Sequence, residues 1–334
     1  MEIQNTKQHM MQLINGYIVS QALRVAAELE VADKLLEGPK TAEQLVDTSG
    51  CIPSRLYRVL RFLVSVGVFE QKGDTFEQNA LSEHLRKEST ETVWPAAVFS
   101  SNELFRALHA MPEALKDTSV GFHTTYGVPF FEFLQKNPNR GDIFDHMMQS
   151  FHGHEAAAVI AAYDFSTSTT LVDIGGGDGE MLTKILLANL SLQGILFDLP
   201  EVVGRSKQLL ADHPAASRCN LVGGDFFDSI PANGDLYTLR HIIHDWADQP
   251  AIDILKTCRA AISPKGRLLI IEGVIEPGNQ PTPQKLLDLI MMVTFSGQER
   301  TGEEYRILLE TAGFEISRII PTDSDVSVIE AVPV

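Results

Sequence analysis

The chain has few cysteines and no surplus of positive charge. Its 334 residues include three cysteines, and 44 acidic side chains against 27 basic ones give a formal net charge of -17. Cys51, Cys219 and Cys258 lie far apart without CxxC or Cys/His spacing, which argues against a disulfide framework and a zinc site. The acidity predicts no nucleic-acid partner, because phosphate backbones require clustered lysine and arginine. The cysteine usage favours a reducing, cytoplasmic location.

Long apolar runs are also missing. No stretch of about 18 apolar residues occurs, and the N-terminus lacks a basic region followed by an apolar segment. We therefore expect neither a membrane protein nor an exported one. The length exceeds the usual size of a single core, and 44% hydrophobic residues with 21% charged ones is typical of folded domains, so the sequence predicts two domains.

The two halves of the chain differ in their hydrophobic periodicity. Up to about residue 160, apolar residues recur at three- and four-residue spacing, which predicts a mostly helical domain over 1–160. From Thr169 onward, short β-branched runs alternate with amphipathic helical stretches, which predicts an α/β domain with a parallel sheet over 161–334. The last 21 residues contain two strand-like runs joined by a polar turn, which predicts an antiparallel hairpin at the sheet edge.

Residues 40–79 show the pattern of a winged helix, with helix, turn, helix and a β-wing around Gly73. The second helix carries Arg55, Arg58 and Arg61, so DNA binding is one interpretation. Dimerisation is the other, and the acidity of the chain favours it. We then expect the long amphipathic first helix to pack against a second subunit through a self-complementary face.

The run "LVDIGGGDGEML", residues 171–182, is typical of a strand, a glycine turn and a helix N-terminus that binds a ligand. Gly175 and Gly177 allow close approach of the backbone because they lack a Cβ. A dinucleotide fingerprint would place a third glycine where Glu180 stands. The negative charge of an acid at this position disfavours a bound pyrophosphate and favours a ligand that carries a positive charge. The pattern that begins at Asp173 therefore favours S-adenosylmethionine, although a plain strand-to-helix turn stays open.

Further acids follow the next two strands. Asp198 ends "ILFDLP", where an acid hydrogen-bonds ribose hydroxyls in nucleotide-binding βαβ units. Asp225 in "GGDFF" could accept from an adenine amino group, with Phe226 against the ring face. Because the carboxyl ends of parallel strands share one edge, we expect these acids to line one crevice.

Six motifs resemble one family. "LVDIGGGDG", "FDLPEVV", "GDFF", "LRHIIHDWAD", "EGVI" and "DLIMMVTFSGQERTGEEYRILLETAGF" occur in the order found in S-adenosylmethionine-dependent O-methyltransferases of the caffeate and hydroxyindole type, including bacterial natural-product relatives. The resemblance is specific over residues 160–320 and looser over 10–150. It implies a Rossmann-like class I methyltransferase domain, a helical winged-helix domain that forms a homodimer, S-adenosylmethionine as cofactor and a small-molecule acceptor.

The resemblance also implies the reacting groups. The histidine of "HDW", His244, is the expected general base, with Glu272 and Glu299 flanking and orienting its imidazole. His241 is expected to be structural. Leu199 beside the ribose acid and Arg240, where the family commonly has lysine, are expected near the cofactor.

The expected substrate contacts come from several segments. A helix that lines the substrate in the family falls near residue 291, and further aromatic, histidine and methionine side chains precede the glycine loop. The predicted substrate-binding residues are Tyr126, Met147, His152, Asp245, Met291 and Phe295. Asp245 and Asp248 are also predicted helix caps. No HExxH pattern occurs, so no metal site is predicted.

These patterns together predict an O-methyltransferase that acts on a hydroxyl of a small, aromatic or polyketide-like acceptor. N- or C-methylation by the same fold stays open, because the sequence does not reveal the accepting atom. A winged-helix regulator is disfavoured by the net charge. A dinucleotide-dependent oxidoreductase is disfavoured by the missing third glycine.

Overall fold

The computed structural model describes residues 6–46, 50–116 and 119–334. The chain forms two compact units. The first comprises the described residues up to His109 together with Thr125–Phe151, and the second comprises those of Ala110–Thr124 together with His152–Val334. Within the described ranges, no helix is both long enough and apolar enough to cross a membrane.

The helices are numbered here in chain order. They are α1 (Thr6–Ile14), α2 (Gly16–Glu28), α3 (Val31–Lys34), α4 (Ala42–Leu45), α5 (Pro53–Ser65), α6 (Trp94–Phe99), α7 (Phe105–Leu108), α8 (Met111–Ala114), α9 (Gly121–Tyr126), α10 (Phe130–Lys136), α11 (Pro138–His152), α12 (Glu155–Ala162), α13 (Glu180–Ala188), α14 (Pro200–Leu210), α15 (Asp248–Ala261), α16 (Pro283–Thr294) and α17 (Gly302–Thr311).

The strands follow the same convention. They are β1 (Lys40–Thr41), β2 (Glu70–Lys72), β3 (Thr75–Glu77), β4 (Thr170–Ile174), β5 (Gln193–Asp198), β6 (Cys219–Gly223), β7 (Leu236–Arg240), β8 (Arg267–Glu272), β9 (Val274–Ile275), β10 (Arg300–Thr301), β11 (Phe314–Pro321) and β12 (Ser327–Pro333).

The first unit contains the predicted winged helix. Helices α4 and α5 are followed by the wing strands β2 and β3, which turn at Gly73 with a φ of 62° and pair with β1 in the order β1-β3-β2. The turn between the two helices includes residues 47–49, which lie outside the described residues. Helix α5 buries Leu56, Leu60 and Leu63, so one face packs inward at helical spacing.

The predicted long first helix is two helices. The residue between α1 and α2, Asn15, stands at the N-cap of α2. Helix α1 has no buried residue, whereas α2 buries Ala22, Ala26 and Ala27. Helix α1 therefore contributes no buried side chain to the core of its own chain.

The second unit is built on a seven-stranded sheet in the order β11-β12-β8-β7-β4-β5-β6. Strands β8, β7, β4, β5 and β6 are parallel, whereas β12 runs antiparallel to both β8 and β11. This confirms the predicted α/β architecture with a hairpin at its edge. The run "RLLIIEGVI" is split at Gly273, because β9 leaves the main sheet and pairs with β10.

Side chains of the central strands alternate between two cores. Val172 and Ile174 of β4 belong to a cluster that includes residues of α15 and α17, and Leu171 belongs to a cluster that includes residues of α12 and α13. Burial on both faces explains why these strands are continuously apolar. The parallel strands all end at one edge, which brings the glycine loop after β4 and the chain segments after β5, β7 and β8 together.

Candidate active site

The glycine loop joins β4 to α13 and is shaped by left-handed backbone. Gly175 and Gly177 have φ values of 67° and 59°, which residues with a Cβ rarely adopt. A Cβ at Gly175 would lie 2.4 Å from Cδ1 of Ile242, whereas one at Gly177 would meet no atom within 4 Å. The loop thus packs closely at Gly175 and is open at Gly177, close to the N-terminus of α13.

Asp198, the last residue of β5, is tied to this loop. Its Oδ2 accepts a hydrogen bond from the N–H of Gly177 at 2.8 Å, and its Oδ1 accepts one from the N–H of Leu199 at 2.7 Å. Burial raises the pKa of Asp198, and the two backbone donors partly offset that rise. A carboxylate has further lone pairs, so Asp198 can still accept from a ligand hydroxyl.

Asp173 is a buried acid directly before the loop. Its Oδ1 accepts from the hydroxyl of Thr238 at 2.7 Å, and within the described residues its buried Oδ2 has no hydrogen-bond partner. Burial raises the pKa of Asp173 to about 6. An unsatisfied buried acceptor is costly, so a cationic group bound at the loop would stabilise this carboxylate.

Phe226 and Asp225 follow β6 in the same part of the unit. The Phe226 ring packs 5.1 Å from that of Phe227 and 6.2 Å from that of Trp246, and its Cε1 lies 3.9 Å from the Cβ position of Gly175. Asp225 is exposed, and its Oδ1 accepts from the N–H of Phe227. An aromatic face therefore borders the loop beside an accessible carboxylate.

Arg240 ends β7 between two carboxylates. Its Nη1 lies 3.6 Å from Oε2 of Glu155 and 3.7 Å from Oε2 of Glu180. These distances are ionic contacts beyond hydrogen-bond range, and among the described residues this buried nitrogen has no hydrogen-bond partner. The guanidinium can therefore still donate a hydrogen bond near the start of α13.

His244 lies in a single 3₁₀ turn, Ile243–Asp245, after β7. The side chain is buried, and its Nδ1 is 2.6 Å from Oε1 of Glu299, while its Nε2 is 3.6 Å from Oδ1 of Asp245. Burial alone lowers the pKa of His244, but the hydrogen bond to Glu299 and the charges of Asp245 and Glu272 outweigh burial and raise it to about 10. The carboxylate at Nδ1 leaves Nε2 as the nitrogen that can exchange a proton.

Glu272 contacts the backbone of this turn. It is fully buried at the end of β8, and its Oε1 accepts from the N–H groups of Ile242 at 2.9 Å and Ile243 at 2.6 Å. Its Oε2 accepts from the hydroxyl of Tyr305 at 2.6 Å. The resemblance implied that Glu272 flanks the imidazole of His244, whereas in this geometry it holds the peptide groups that carry the imidazole.

Arg300 is a site residue that the sequence reasoning missed. Its fully buried guanidinium donates to the carbonyl oxygens of Ile243 at 3.1 Å and Trp246 at 2.8 Å, and to Oδ1 of Asp248 at 3.0 Å. The turn that carries His244 is therefore held from both sides, by Glu272 at its N–H groups and by Arg300 at its carbonyls. The position next to Glu299 in "QERT" was the only sequence signal.

The predicted helix caps are wrong. Helix α15 begins at Asp248, its N-cap is Ala247, and no side chain caps it. Asp245 lies in the 3₁₀ turn, where burial raises its pKa to about 6. The two acids serve the His244 turn, because Asp248 is bound by Arg300 and Asp245 faces the imidazole.

Helix α16 reaches the site through Asp288, whose Oδ1 accepts from the N–H of Glu299 at 3.0 Å. Met291 is buried one turn further along the helix, and Phe295 is its C-cap residue. These positions connect the predicted substrate-lining helix to the carboxylate that binds His244. Substrate contact by Met291 and Phe295 stays a prediction.

Two predicted substrate residues belong to the first unit. The hydroxyl of Tyr126 donates to the carbonyl oxygen of Glu103 at 3.3 Å, and the sulfur of Met147 accepts from the hydroxyl of Ser100 at 3.5 Å. The structure describes these contacts within that unit, and a role in substrate binding stays a prediction for both residues.

His152, Glu155 and His241 form a cluster that no motif revealed. Their potential ligand atoms lie within 4.8 Å of one another, although the sequence predicted no metal site. Oε1 of Glu155 is 2.7 Å from Nδ1 of His152 and 3.0 Å from Nε2 of His241. Glu155 and His241 are 86 residues apart, so spacing along the chain cannot reveal the group.

Two family models of known proteins match the chain. Residues 105–315 match the family model of the O-methyltransferase domain, and residues 11–88 match that of the O-methyltransferase dimerisation domain. Together the two models cover most of the chain.

Individual relatives span nearly the whole chain. It is 38% identical to a phenazine O-methyltransferase of Lysobacter antibioticus over 97% of this chain and 96% of that one. It is 33% identical to an 8-amino-8-demethylriboflavin N,N-dimethyltransferase of Streptomyces davaonensis, over 93% of this chain and 91% of that one. An O-methyltransferase from neocarzinostatin biosynthesis, solved with S-adenosylmethionine and 2-hydroxy-5-methyl naphthoic acid, superimposes with a TM-score of 0.85 at 30% identity, covering 95% of this chain and 96% of that one.

Proposed function

We propose that this chain, which belongs to the S-adenosylmethionine-dependent O-methyltransferase family of natural-product biosynthesis, methylates a hydroxyl group of a small aromatic or polyketide-like acceptor with His244 as general base. One observation carries the proposal. His244 lies in the turn after β7, the strand that pairs with the glycine-loop strand β4, and its Nδ1 is bound by Glu299. The ring is therefore oriented, and Nε2 is the nitrogen that exchanges a proton.

The glycine loop and the strand-end acids fit the cofactor of the family. The open face at Gly177, the hydrogen-bonded Asp198 and the orphaned oxygen of Asp173 suit an amino-acid tail and a ribose. We assign Phe226 and Asp225 to the adenine, and Leu199 and Arg240 to the same ligand. When bound, S-adenosylmethionine supplies an electrophilic methyl group on a sulfonium.

The chain's own residues then have three tasks. With cofactor and acceptor bound, His244 would take the proton of the acceptor hydroxyl at Nε2 as the oxygen becomes methylated. Glu299 stabilises the resulting imidazolium. Glu272 and Arg300 bind the backbone of the His244 turn and so fix the position of the base, and fixed positioning of reacting groups is a major source of rate.

The pKa of His244 decides how costly the proton transfer is. An ordinary imidazole near 6.5 would accept a proton from a phenol near 10 at a cost of about 5 kcal/mol. In this site the pKa of His244 is raised to about 10, which nearly matches a phenol. Transfer to the neutral form of the ring then requires little free energy, so the base suits an aromatic hydroxyl.

N-methylation is the second candidate, because a relative at 33% identity is named as an N,N-dimethyltransferase. An uncharged amine has a free lone pair and requires no base before attack. The buried His244–Glu299 pair would then have no proton to remove in the rate-limiting step. This pair favours oxygen as the accepting atom.

We further propose that the protein is a homodimer formed through the first unit. A dimerisation domain is present, and α1 and the start of α2 expose Met10, Leu13, Ile14 and Tyr17 by more than half of their surface. Such an apolar face favours association with a second copy. The cytoplasmic location and the absence of a nucleic-acid partner stay predictions.

Cofactor binding can be tested by thermal unfolding. S-adenosylhomocysteine at a hundred times its Kd is expected to stabilise the protein by about 2.7 kcal/mol. Asp198→Ala is expected to remove most of the rise in Tm, because it deletes the carboxylate that holds Gly177 and that we assign to the ribose. NADH and a DNA duplex serve as control ligands. An equal rise with NADH would contradict the cofactor assignment.

The pH dependence of turnover tests the base. The raised pKa means that His244 is protonated at neutral pH and gains its basic form as pH rises toward about 10. With a phenolic acceptor, turnover is therefore expected to increase from pH 6 to pH 9, by up to about tenfold per unit. Initial rates with saturating cofactor measure this. A profile that levels off below pH 7 would contradict it.

A further inference from the structure

The second unit contains another carboxylate–imidazole pair beside the proposed base. Nε2 of His241 lies 3.0 Å from both carboxylate oxygens of Glu155, and Glu155 is buried. The arrangement parallels that of His244 and Glu299, in which a buried carboxylate also binds one ring nitrogen. The mechanism described above does not use this second pair.

The two pairs touch through their imidazole rings. The ring of His241 lies 5.2 Å from that of His244, with 38° between the planes, and 4.2 Å from that of His152 on its other side. His241 also has a φ of 52°, a left-handed conformation that is unfavourable for residues with a Cβ. Its surroundings must hold the ring firmly for this conformation to persist.

Glu155 determines the protonation of His241. A carboxylate accepts only, so the ring proton lies on Nε2 of His241. Burial holds the pKa of His241 low, at about 3, so the ring stays neutral. A neutral neighbour does not oppose the positive charge that His244 acquires when it takes a proton, whereas a cationic one would.

We propose that Glu155 and His241 act as a positioning pair for His244: Glu155 fixes the neutral His241 ring against the imidazole of His244 and keeps Nε2 of His244 directed at the acceptor hydroxyl. This inference depends on the proposed role of His244 as base. Neither residue of the pair is assigned a contact with the acceptor, and their effect is transmitted through the ring of His244.

A metal ion is the competing occupant of this cluster. His152, Glu155 and His241 offer two imidazole nitrogens and a carboxylate oxygen. However, the distances of 2.7 and 3.0 Å are those of direct hydrogen bonds. Arg240 places a permanent cation 3.6 Å from the Glu155 carboxylate, which supplies the compensating charge and repels a metal ion. The contacts therefore favour the hydrogen-bonded pair.

The test is Glu155→Gln, which keeps the size of the side chain but loses its charge and one of its acceptor oxygens. Two acceptors are chosen by screening aromatic hydroxyl compounds: one of the naphthol class, protonated at the assay pH, and one of the nitrophenol class, already ionised. We expect kcat to fall about tenfold with the protonated acceptor and less than about twofold with the ionised one, because only the first requires an aligned base. The KM for S-adenosylmethionine should change less than about threefold.

Glu330→Gln is the matched control. Glu330 is also buried and hydrogen-bonded, but its partners are Tyr163, Ser317 and Arg318. Any loss in this variant should be equal for the two acceptors. An equal loss for both acceptors in Glu155→Gln, or no loss, would overturn the positioning role. Loss of wild-type activity on chelation, restored by a divalent metal, would overturn it in favour of a metal site.

His244→Ala separates failure of this inference from failure of the proposed function. If His244→Ala loses activity with the protonated acceptor and Glu155→Gln does not, only the positioning pair is refuted. If His244→Ala keeps full activity with both acceptors, the base assignment itself is refuted, and the positioning role falls with it.

Discussion

Replacement of His244 by alanine is expected to lower kcat with a phenolic acceptor by two to four orders of magnitude, the usual contribution of a general base. The reason is geometric as well as chemical. The buried imidazole is bound by Glu299 at Nδ1, so Nε2 is the nitrogen that can take the proton, and no alanine can replace it. The carboxylate of the adjacent Asp245 lies 3.6 Å from this nitrogen. Loss of the ring therefore also removes the positive charge that the imidazolium places beside Asp245.

Cofactor affinity separates the base from a structural role. The carboxylate that holds the glycine loop is Asp198, and its described hydrogen bonds do not involve His244. Binding of S-adenosylhomocysteine, measured by calorimetry, is therefore expected to change less than about threefold in His244→Ala. His213→Ala serves as the control and should keep full turnover, because His213 is a partly buried histidine whose Nδ1 accepts from the N–H of Ala215. Full turnover in His244→Ala would favour methylation of nitrogen or carbon.

Gly297→Ala is expected to have the next largest effect, a loss of about a hundredfold in kcat together with a lower Tm. A Cβ at Gly297 would lie 2.0 Å from the carbonyl oxygen of His244 and 2.6 Å from the carbonyl carbon of Asp245. These atoms belong to the backbone, so no side-chain rotation can relieve the overlap. The turn must move, and displacement of a catalytic group by about 1 Å can cost a hundredfold. Overpacking typically costs about 1–3 kcal/mol of stability.

Gly204→Ala is the matched control for this substitution. Gly204 lies in α14, and a Cβ there would meet no atom within 4 Å. Because alanine has a higher helix propensity, the control should gain about 0.5–1 kcal/mol and keep its activity. Steady-state kinetics and thermal unfolding of the two variants measure both effects. Wild-type kcat in Gly297→Ala would show that the His244 turn tolerates displacement.

The fold was predictable to the extent that its elements have local signals. Alternating β-branched runs and amphipathic helices predicted the α/β unit, and the polar turn near the C-terminus predicted the edge hairpin that β11 and β12 form. The wing and the helix pair of the first unit were also marked by local turn chemistry. The break at Asn15 was missed, because an apolar stripe can continue across the boundary between two successive helices.

The support of the site was less predictable than the site itself. Glu272 was found through the resemblance, but its contact with the backbone of the His244 turn, and not with the ring, depends on the exact end of β8. Arg300 had no motif of its own, because the local sequence does not distinguish an arginine in an exposed loop from one that is buried and bound to backbone carbonyls. The predicted helix caps were wrong because the contact partner of Asp248 was not visible in the sequence. Its carboxylate binds Arg300 and not the N-terminus of α15.

The sequence by itself indicated the kind of ligand loop, because a glycine turn that begins with an acid is a local pattern of residue type and order. The proposed base was indicated by the resemblance of the ordered motifs to one family. Only the tertiary structure decided which carboxylates meet which imidazoles. Glu299 reaches His244 across 55 residues and Glu155 reaches His241 across 86, because the order of strands in the sheet, and not the distance along the chain, sets which segments become neighbours.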